Sequence, residues 1–347
     1  MRRVPARDDS PVPPGFELAP CPLCGGSRAR IVVRAGDRLT PELPGLFTVV
    51  RCQECGLAYQ RPRPEAETAG RFYPDSYTGG GRSGRVEALE AAYRRRQHGE
   101  VARWLAARRP ARGRVLDVGC GAGDLLVALR ADGWSARGVE PSPPGAEQAR
   151  DKHGLDVVTG RFEQVDLPEH SFDVIVFSGV LEHVHDPLSA LRRAPALLAP
   201  GGLVAVLFLP MLDSPEARLF GPRWLALDLP RHLTHFEDTT FTVMAARAGL
   251  EIVSRETYSR RHSAAQLVGS LAPGLQKHRF YRAESRESST VGIASRLTPL
   301  AKRATFLAAT TAAKPVARLA SAAGAPSVCS YFLEPAAEEG DCSGEGG

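Results

Sequence analysis

The sequence contains no stretch of 18 consecutive apolar residues, so no hydrophobic transmembrane helix is expected from it. Its start, Met1-Arg2-Arg3-Val4-Pro5-Ala6-Arg7-Asp8-Asp9, is charged and is followed by no apolar h-region. No secretory signal is therefore expected, and the cytoplasm is the expected compartment. An excess of one charge is also missing. The 44 Lys and Arg against 39 Asp and Glu leave a net charge of +5, which permits contact with nucleic acid or anionic lipid and demands neither. Cysteine is sparse: of seven, four fall in two short knuckles, and without a secretory signal disulfides are not expected. What the chain has in quantity is apolar content, 43% of 347 residues, enough for one large domain or two medium ones.

The most informative stretch is Arg114-Val-Leu-Asp-Val-Gly-Cys-Gly-Ala-Gly-Asp124. Val115-Leu116 reads as a short buried strand that ends in Asp117 and opens through Gly119, Gly121 and Gly123 into an apolar-periodic helix at 125–129. A strand turning through glycines into a helix is the ligand-binding corner of a doubly wound α/β sheet. The spacing is G-x-G-x-G, not the G-x-G-x-x-G/A that seats a dinucleotide pyrophosphate, and Asp117 at the strand end would repel a phosphate. An acid there suits a ligand with an amino-acid moiety. Glu140, 23 residues past Asp117 and at the end of the next apolar strand, can accept both hydroxyls of a ribose. An amino acid at one end and a ribose at the other describe S-adenosylmethionine.

Residues 114–209 resemble the core of the class I S-adenosylmethionine-dependent methyltransferases. The matching pieces are Val115–Gly123, Glu140, Ser171-Phe-Asp-Val-Ile175, Val180-Leu-Glu-His-Val184 and Leu198-Ala-Pro-Gly-Gly202, in the family's order and at its spacing. The resemblance implies a seven-stranded, mostly parallel sheet whose last strand runs antiparallel. It also implies that Gly119 and Gly121 approach the cofactor with their backbones, that Asp117 lies near its amino-acid end and that Glu140 binds its ribose. Cys120, Gly123, Phe162 and Ser178 complete the expected cofactor-binding set.

Cys21-Pro-Leu-Cys24 and Cys52-Gln-Glu-Cys55 form two C-x2-C knuckles with 27 residues between them, a spacing that can place four thiolates around one tetrahedral Zn2+. With all four positions filled by thiolates the metal would be structural, and the runs at 29–34 and 46–51 read as the strands of a zinc ribbon. Cys329 and Cys342 receive no role.

The predicted layout is a disordered segment 1–17, the ribbon at 18–62, a linker and amphipathic helix at 63–110, and the α/β domain at 111–335 with a disordered tail at 336–347. Sheet strands are expected near 114–118, 135–140, 155–159, 172–177, 202–208, 250–255 and 328–333. Residues 260–325 then form a basic helical insertion, read first as a cap on the sheet. Peripheral membrane contact and nucleic-acid binding are the two other readings of it.

The acceptor side should come from loops at the carboxyl ends of strands four and five. There Trp224, Asp228, Pro230, Arg231, His232, His235 and Phe236 form a W-x3-D-x-P-R-H-x-x-H-F pattern. It resembles a bacterial methyltransferase subgroup that also carries the ribbon. His232 and His235 are the candidate catalytic residues, for acid–base or acceptor-orienting work; the alternative is that Asp228, Arg231 and His232 hold the loop together. Glu182 and His185 can offer metal ligands, but nothing else in the sequence completes a second metal set. The function expected first is methyl transfer from S-adenosylmethionine, by in-line displacement, to oxygen or carbon of a small molecule (a saccharide, a lipid-linked compound or a secondary metabolite). A nucleic-acid methyltransferase and a non-catalytic binding protein on the same fold are the alternatives.

Overall fold

The computed structural model describes residues 12–38, 45–73, 98–259, 262–273 and 299–337. Expectations for the first eleven residues, for 74–97, for the middle of the insertion at 274–298 and for the tail from 338 lie outside the described residues.

Seven strands form the main sheet: β6 (Arg114–Val118), β7 (Ser135–Glu140), β8 (Asp156–Thr159), β9 (Phe172–Ser178), β10 (Leu198–Pro210), β12 (Leu250–Glu256) and β13 (Val328–Pro335). Their order is β12-β13-β10-β9-β6-β7-β8, and β13 alone runs antiparallel to its neighbours. The order reverses between β6 and β9, so a crevice opens at the carboxyl ends of these two strands, where ligands of such sheets sit. The strands read as near-continuous apolar runs because helices cover both faces: α1 (described residues 98–108), α2 (Asp124–Ala131), α3 (Pro143–His153), α4 (Pro187–Leu197) and α6 (Asp238–Arg247). At the start of α4 the Asp186 side chain accepts from the Ser189 N–H at 2.9 Å with Pro187 in the first turn, which caps the helix. The fifth parallel strand begins earlier than expected. Pairing to β9 starts at Leu198, and the Gly201-Gly202 pair forms an irregularity inside β10 instead of a turn before it.

The cysteine knuckles flank a second sheet built from β2 (Ala29–Ala35), β3 (Phe47–Cys52) and β4 (Ala58–Gln60). Its fourth strand was not foreseen: β11 (Thr234–His235), from the acceptor loop, pairs antiparallel with β4. Two boundaries also shift. The segment expected to be disordered to residue 17 contains β1 (Phe16–Glu17), which pairs with β5 (Arg63–Pro64), and the Phe16 ring packs on Phe47 and Phe72. The tail expected from 336 begins with Ala336 donating to the Gly249 carbonyl at 2.9 Å.

The ribbon shares the main core. Cys21, Leu23, Val50, Cys52, Leu57 and Tyr59 are buried in one apolar cluster with Phe177, Leu181, Met211 and Phe236. A shared buried cluster of this kind makes the two sheets one packing unit. In the insertion, α7 (Ser263–Leu271) packs against the acceptor loop, and α8 (Pro299–Ala322) packs on α7. The Ser270 hydroxyl accepts from the Leu225 N–H at 2.8 Å, so the described start of the insertion supports the loop as a cap would. Leu307, Val316 and Leu319 of α8 are exposed. No helix among the described residues is long and apolar enough to cross a membrane.

Candidate cofactor and acceptor site

The glycine loop leaves β6 at Val118. Gly119, Gly121 and Gly123 have φ of +69°, +54° and +83°, conformations that cost an L-residue strain. Their surroundings differ. A Cβ on Gly119 would lie 2.8 Å from Val180 Cγ2, and one on Gly123 would lie 2.3 Å from Leu155 Cδ1, so these positions are set by packing. A Cβ on Gly121 would meet no protein atom within 4 Å: the backbone here faces open space. Cys120 turns away from that space, with its sulfur packed beneath Gly138 among Leu126, Ala146 and Ala149.

Glu140, at the end of β7, accepts the Gly121 N–H at 2.7 Å and the Ser142 N–H at 2.8 Å. Burial raises its carboxyl, and these two donors oppose the rise. Asp117 is 2% exposed at the end of β6, and burial with the nearby Glu140 charge pushes its carboxyl up to about 8. Two acids thus face one glycine loop with no cation of the described chain drawing either down. This suits a ligand carrying an ammonium group and a diol, and the residues fit S-adenosylmethionine in donor type and in the space over Gly121. Ser178 closes β9, half-buried, where the Gly179 turn begins. Phe162 points its ring into the core, edge-on to Phe177 with centroids 5.5 Å apart, and the Arg193 guanidinium binds its carbonyl. What Phe162 can offer a cofactor is therefore backbone and ring edge.

On the acceptor side the structure gathers side chains the sequence keeps far apart. Leu233 is a hook in both directions: its N–H donates to the Glu182 carbonyl at 2.7 Å, and its own carbonyl accepts from the Gln60 N–H at 2.8 Å. That pair of bonds ties the turn after β9, the acceptor loop and the ribbon together. Arg231 is 1% exposed and donates to both oxygens of Asp37, at 2.7 and 3.0 Å, to Asp228 at 2.8 and 3.0 Å, and to the Phe72 carbonyl. Burial acts to raise the Asp228 carboxyl, but the Arg231 guanidinium outweighs it and holds the group down at about 2. Arg231 and Asp228 therefore hold the loop, as the alternative reading proposed for them.

His232 is 8% exposed, and its Nδ1 lies 2.8 Å from the Ala226 carbonyl, so this nitrogen carries the proton. Its Nε2 then faces Glu182 Oε1 at 4.0 Å and Asp228 Oδ2 at 3.9 Å, and its ring meets His183 edge-on at 4.6 Å. Burial drives His232 well below its ordinary value and lowers His183 to about 4, while burial pushes the Glu182 carboxyl up to about 8. His235 sits apart, in β11. Its Nε2 is buried without a hydrogen-bond partner, its ring centroid lies 6.4 Å from that of His232, and burial lowers it to about 4. Of the two candidate histidines, His232 stands among polar side chains and His235 belongs to the seam with the ribbon. Sequence reasoning missed Glu182 and His183 as partners of His232, and no local pattern connects them.

Behind the seam, Cys21 Sγ lies 3.4 Å from Cys55 Sγ and Cys24 Sγ 3.5 Å from Cys52 Sγ, too far for disulfides. The Gly26 and Glu54 N–H groups point at the Cys24 and Cys52 sulfurs. Burial raises the Cys21 thiol strongly and lifts Cys55 to about 11, while at Cys52 hydrogen bonds outweigh burial and lower the thiol. All four sulfurs lie within reach of one metal ion.

Residues 91–255 match a family model described as "Methyltransferase domain". The chain carries a methyltransferase domain. This domain is 36% identical over 136 residues to a protein named ubiquinone biosynthesis O-methyltransferase from Xanthomonas campestris pv. campestris (strain B100), covering 36% of this chain and 55% of that protein. A protein of the same name from Bordetella avium (strain 197N) is 33% identical over 152 residues, 40% of this chain and 62% of its own length. The match thus spans little more than half of these relatives. Among solved structures, a possible histamine N-methyltransferase from Thermotoga maritima has 26% identity over 48% of this chain and 74% of its own, with a TM-score of 0.39. The ribbon lies outside the residues that match the methyltransferase domain model.

Proposed function

We propose that the protein transfers a methyl group from S-adenosylmethionine to oxygen of a small-molecule acceptor, a saccharide, a lipid-linked compound or a secondary metabolite, with carbon as the other acceptor atom in range. The observation that carries the reading is the glycine loop under two buried acids, with open space over Gly121, in a methyltransferase domain. The O-methyltransferase names of the relatives favour oxygen.

The cofactor supplies an electrophilic methyl carbon on a sulfonium sulfur, so the protein's work is chiefly alignment. Asp117 receives the ammonium end, Glu140 the ribose diol, and the backbone at Gly119 and Gly121 lies along the ligand. A hydroxyl acceptor would have to give up its proton, to a base or to water, as its oxygen takes the methyl group and the sulfur keeps the bonding pair. His232 orients the acceptor: its Nδ1 is held by the Ala226 carbonyl, and its Nε2 faces Glu182 from the turn after β9 and Asp228 of its own loop. His235 acts through the loop it anchors. The four cysteines hold a structural Zn2+ that keeps the ribbon against the acceptor loop.

Calorimetric titration of S-adenosylmethionine into the full chain, beside Asp117→Ala and Glu140→Ala, tests this. Micromolar binding lost in both variants supports it. No binding by a folded, zinc-loaded protein overturns it in favour of a binding protein on the same fold.

A further inference from the structure

Outside the cofactor pocket and the cysteine cluster, one group of side chains has the chemistry of a ligand set. Glu182, His183 and His232 each bring a ligand atom within 4.8 Å of the other two. Glu182 and His183 come from the short turn after β9, and His232 from the acceptor loop, held opposite that turn by the Leu233 N–H to Glu182 carbonyl bond at 2.7 Å. The three meet where the acceptor loop closes over the carboxyl end of the sheet.

Three features distinguish the group from a chance cluster of polar residues. The first is the arrangement behind the rings. His232 Nδ1 lies 2.8 Å from the Ala226 carbonyl, and His183 Nδ1 lies 3.0 Å from the Arg231 carbonyl. The Tyr73 hydroxyl also lies 3.1 Å from His183 Nδ1. A carbonyl can only accept and a hydroxyl oxygen can accept as well, so a proton on each Nδ1 satisfies every one of these contacts and leaves both lone pairs on Nε2. A backbone carbonyl behind the ring is how metal-binding histidines are fixed in tautomer and orientation. The second is Glu182 itself: it is 4% exposed, and its Oε2 has no hydrogen-bond partner. A buried acceptor left unsatisfied is costly unless something occupies it. The third is local charge. Asp228 Oδ2 lies 3.9 Å from His232 Nε2 and adds a second carboxylate at the rim of the group. Two imidazoles with one or two carboxylates are the donor set of a zinc-, iron(II)- or manganese-class cation, whereas magnesium and calcium favour all-oxygen sets. Ligand atoms around one such ion stand about 3–3.5 Å apart, given metal–ligand distances near 2.1 Å. The 4.0 Å between His232 Nε2 and Glu182 Oε1 therefore calls for a shift of a few tenths of an ångström from each side chain.

We infer that Glu182, His183 and His232 form a binding site for a first-row divalent transition-metal cation, distinct from the four-cysteine cluster and set at the acceptor face of the domain. Held at the end of the sheet where the acceptor loop closes, a bound ion would supply Lewis-acid binding of an acceptor oxygen. That role rests on the proposed methyl transfer, while the binding itself does not. His232 then orients the acceptor through the metal.

The test is a titration of zinc-loaded full chain with Co2+, followed by visible absorption and by metal analysis after dialysis. With the cysteines already filled, one further equivalent of cobalt should bind, with weak nitrogen- and oxygen-type bands and no thiolate charge-transfer band. Glu182→Gln and His232→Gln should each lose this equivalent while retaining the one zinc, which also reports that they are folded. His185→Gln, whose ring bonds the Pro64 carbonyl outside the group, should keep both metals. Cobalt that enters only by displacing zinc, or a second equivalent indifferent to Glu182→Gln and His232→Gln, overturns the inference. S-adenosylmethionine titrated into the same samples separates the outcomes: cobalt binding without cofactor binding sinks the proposed function alone, and the reverse sinks the metal site alone.

Discussion

Asp117 and His235 are ordinary residue types made unusual by burial, and each yields a measurable consequence. The Asp117 carboxyl, pushed up to about 8, is largely protonated at pH 7 in the ligand-free protein. To pair with an ammonium group it must ionise, so cofactor binding at pH 7 should release up to about one proton. Affinity should rise between pH 6 and 8. Calorimetry in two buffers of different ionisation enthalpy reads the proton directly, and equal enthalpies in both would remove Asp117 from the ammonium end. His235 gives the opposite kind of dependence. Its folded value, about 4, lies below the ordinary value of 6.5, so the unfolded chain binds the extra proton between these limits. Stability from keeping it neutral is therefore complete above pH 6.5 and is lost as pH falls toward 4. By pH 5 the loss is about 2 kcal/mol for this one group. The buried carboxyls of Asp117 and Glu182, both raised, act in the opposite sense over the same range, so the measurement has to be a difference. The denaturation free energy of His235→Gln should fall less steeply from pH 7 to pH 5 than that of the parent.

Among elements, the two-residue strand β11 has the greatest leverage. It carries the ribbon sheet into the acceptor loop, and Arg231 beside it joins Asp37 of the ribbon through an ion pair whose side chains are both fully buried. Removing one partner of such a pair leaves an uncompensated charge in the interior. Arg231→Met or Asp37→Asn should thus cost about 3–5 kcal/mol in denaturant unfolding. The double variant should recover part of the loss. The sheet strands at the centre were legible because they are apolar runs ended by glycine or an acid, as at Val115–Gly119 and Val174–Gly179. β11 was not: Thr234-His235 is too short to show a period, and its partner lies 175 residues back in the chain. The same holds for the acceptor site. His232 stood out as a residue type in a loop, but its company, Glu182 and His183, is decided by the Leu233 backbone bonds and not by spacing. The two α-carbon signals that were readable, the positive-φ glycines and the strand-end acids, are properties of single positions. The unreadable ones are meetings between distant positions.

For the molecule as a whole, the shared core predicts that ribbon and methyltransferase domain melt together. Trp224 is 1% exposed in a cluster with Ala35, Phe47, Val49 and Ala58 of the ribbon sheet. If the four cysteines hold the proposed zinc, a strong chelator should loosen that cluster, shift tryptophan emission to longer wavelength and weaken cofactor binding in the same samples. Scanning calorimetry of the metal-loaded chain should show one transition over these regions; a separate low-temperature ribbon transition would mean that the seam is weaker than its burial implies.

The contact between Asp37 and Arg231 spans 194 residues of sequence. A ribosome delivers the ribbon's cysteines early, yet the strand that closes the ribbon's open edge emerges only after most of the sheet has been made. Until then β4 presents unpaired backbone groups, the kind of edge that recruits other chains. Nascent protein should therefore be most prone to clump while translation passes through residues 60 to 235, and slowing elongation there would lengthen the hazard. The ribbon is begun before the sheet and completed after most of it.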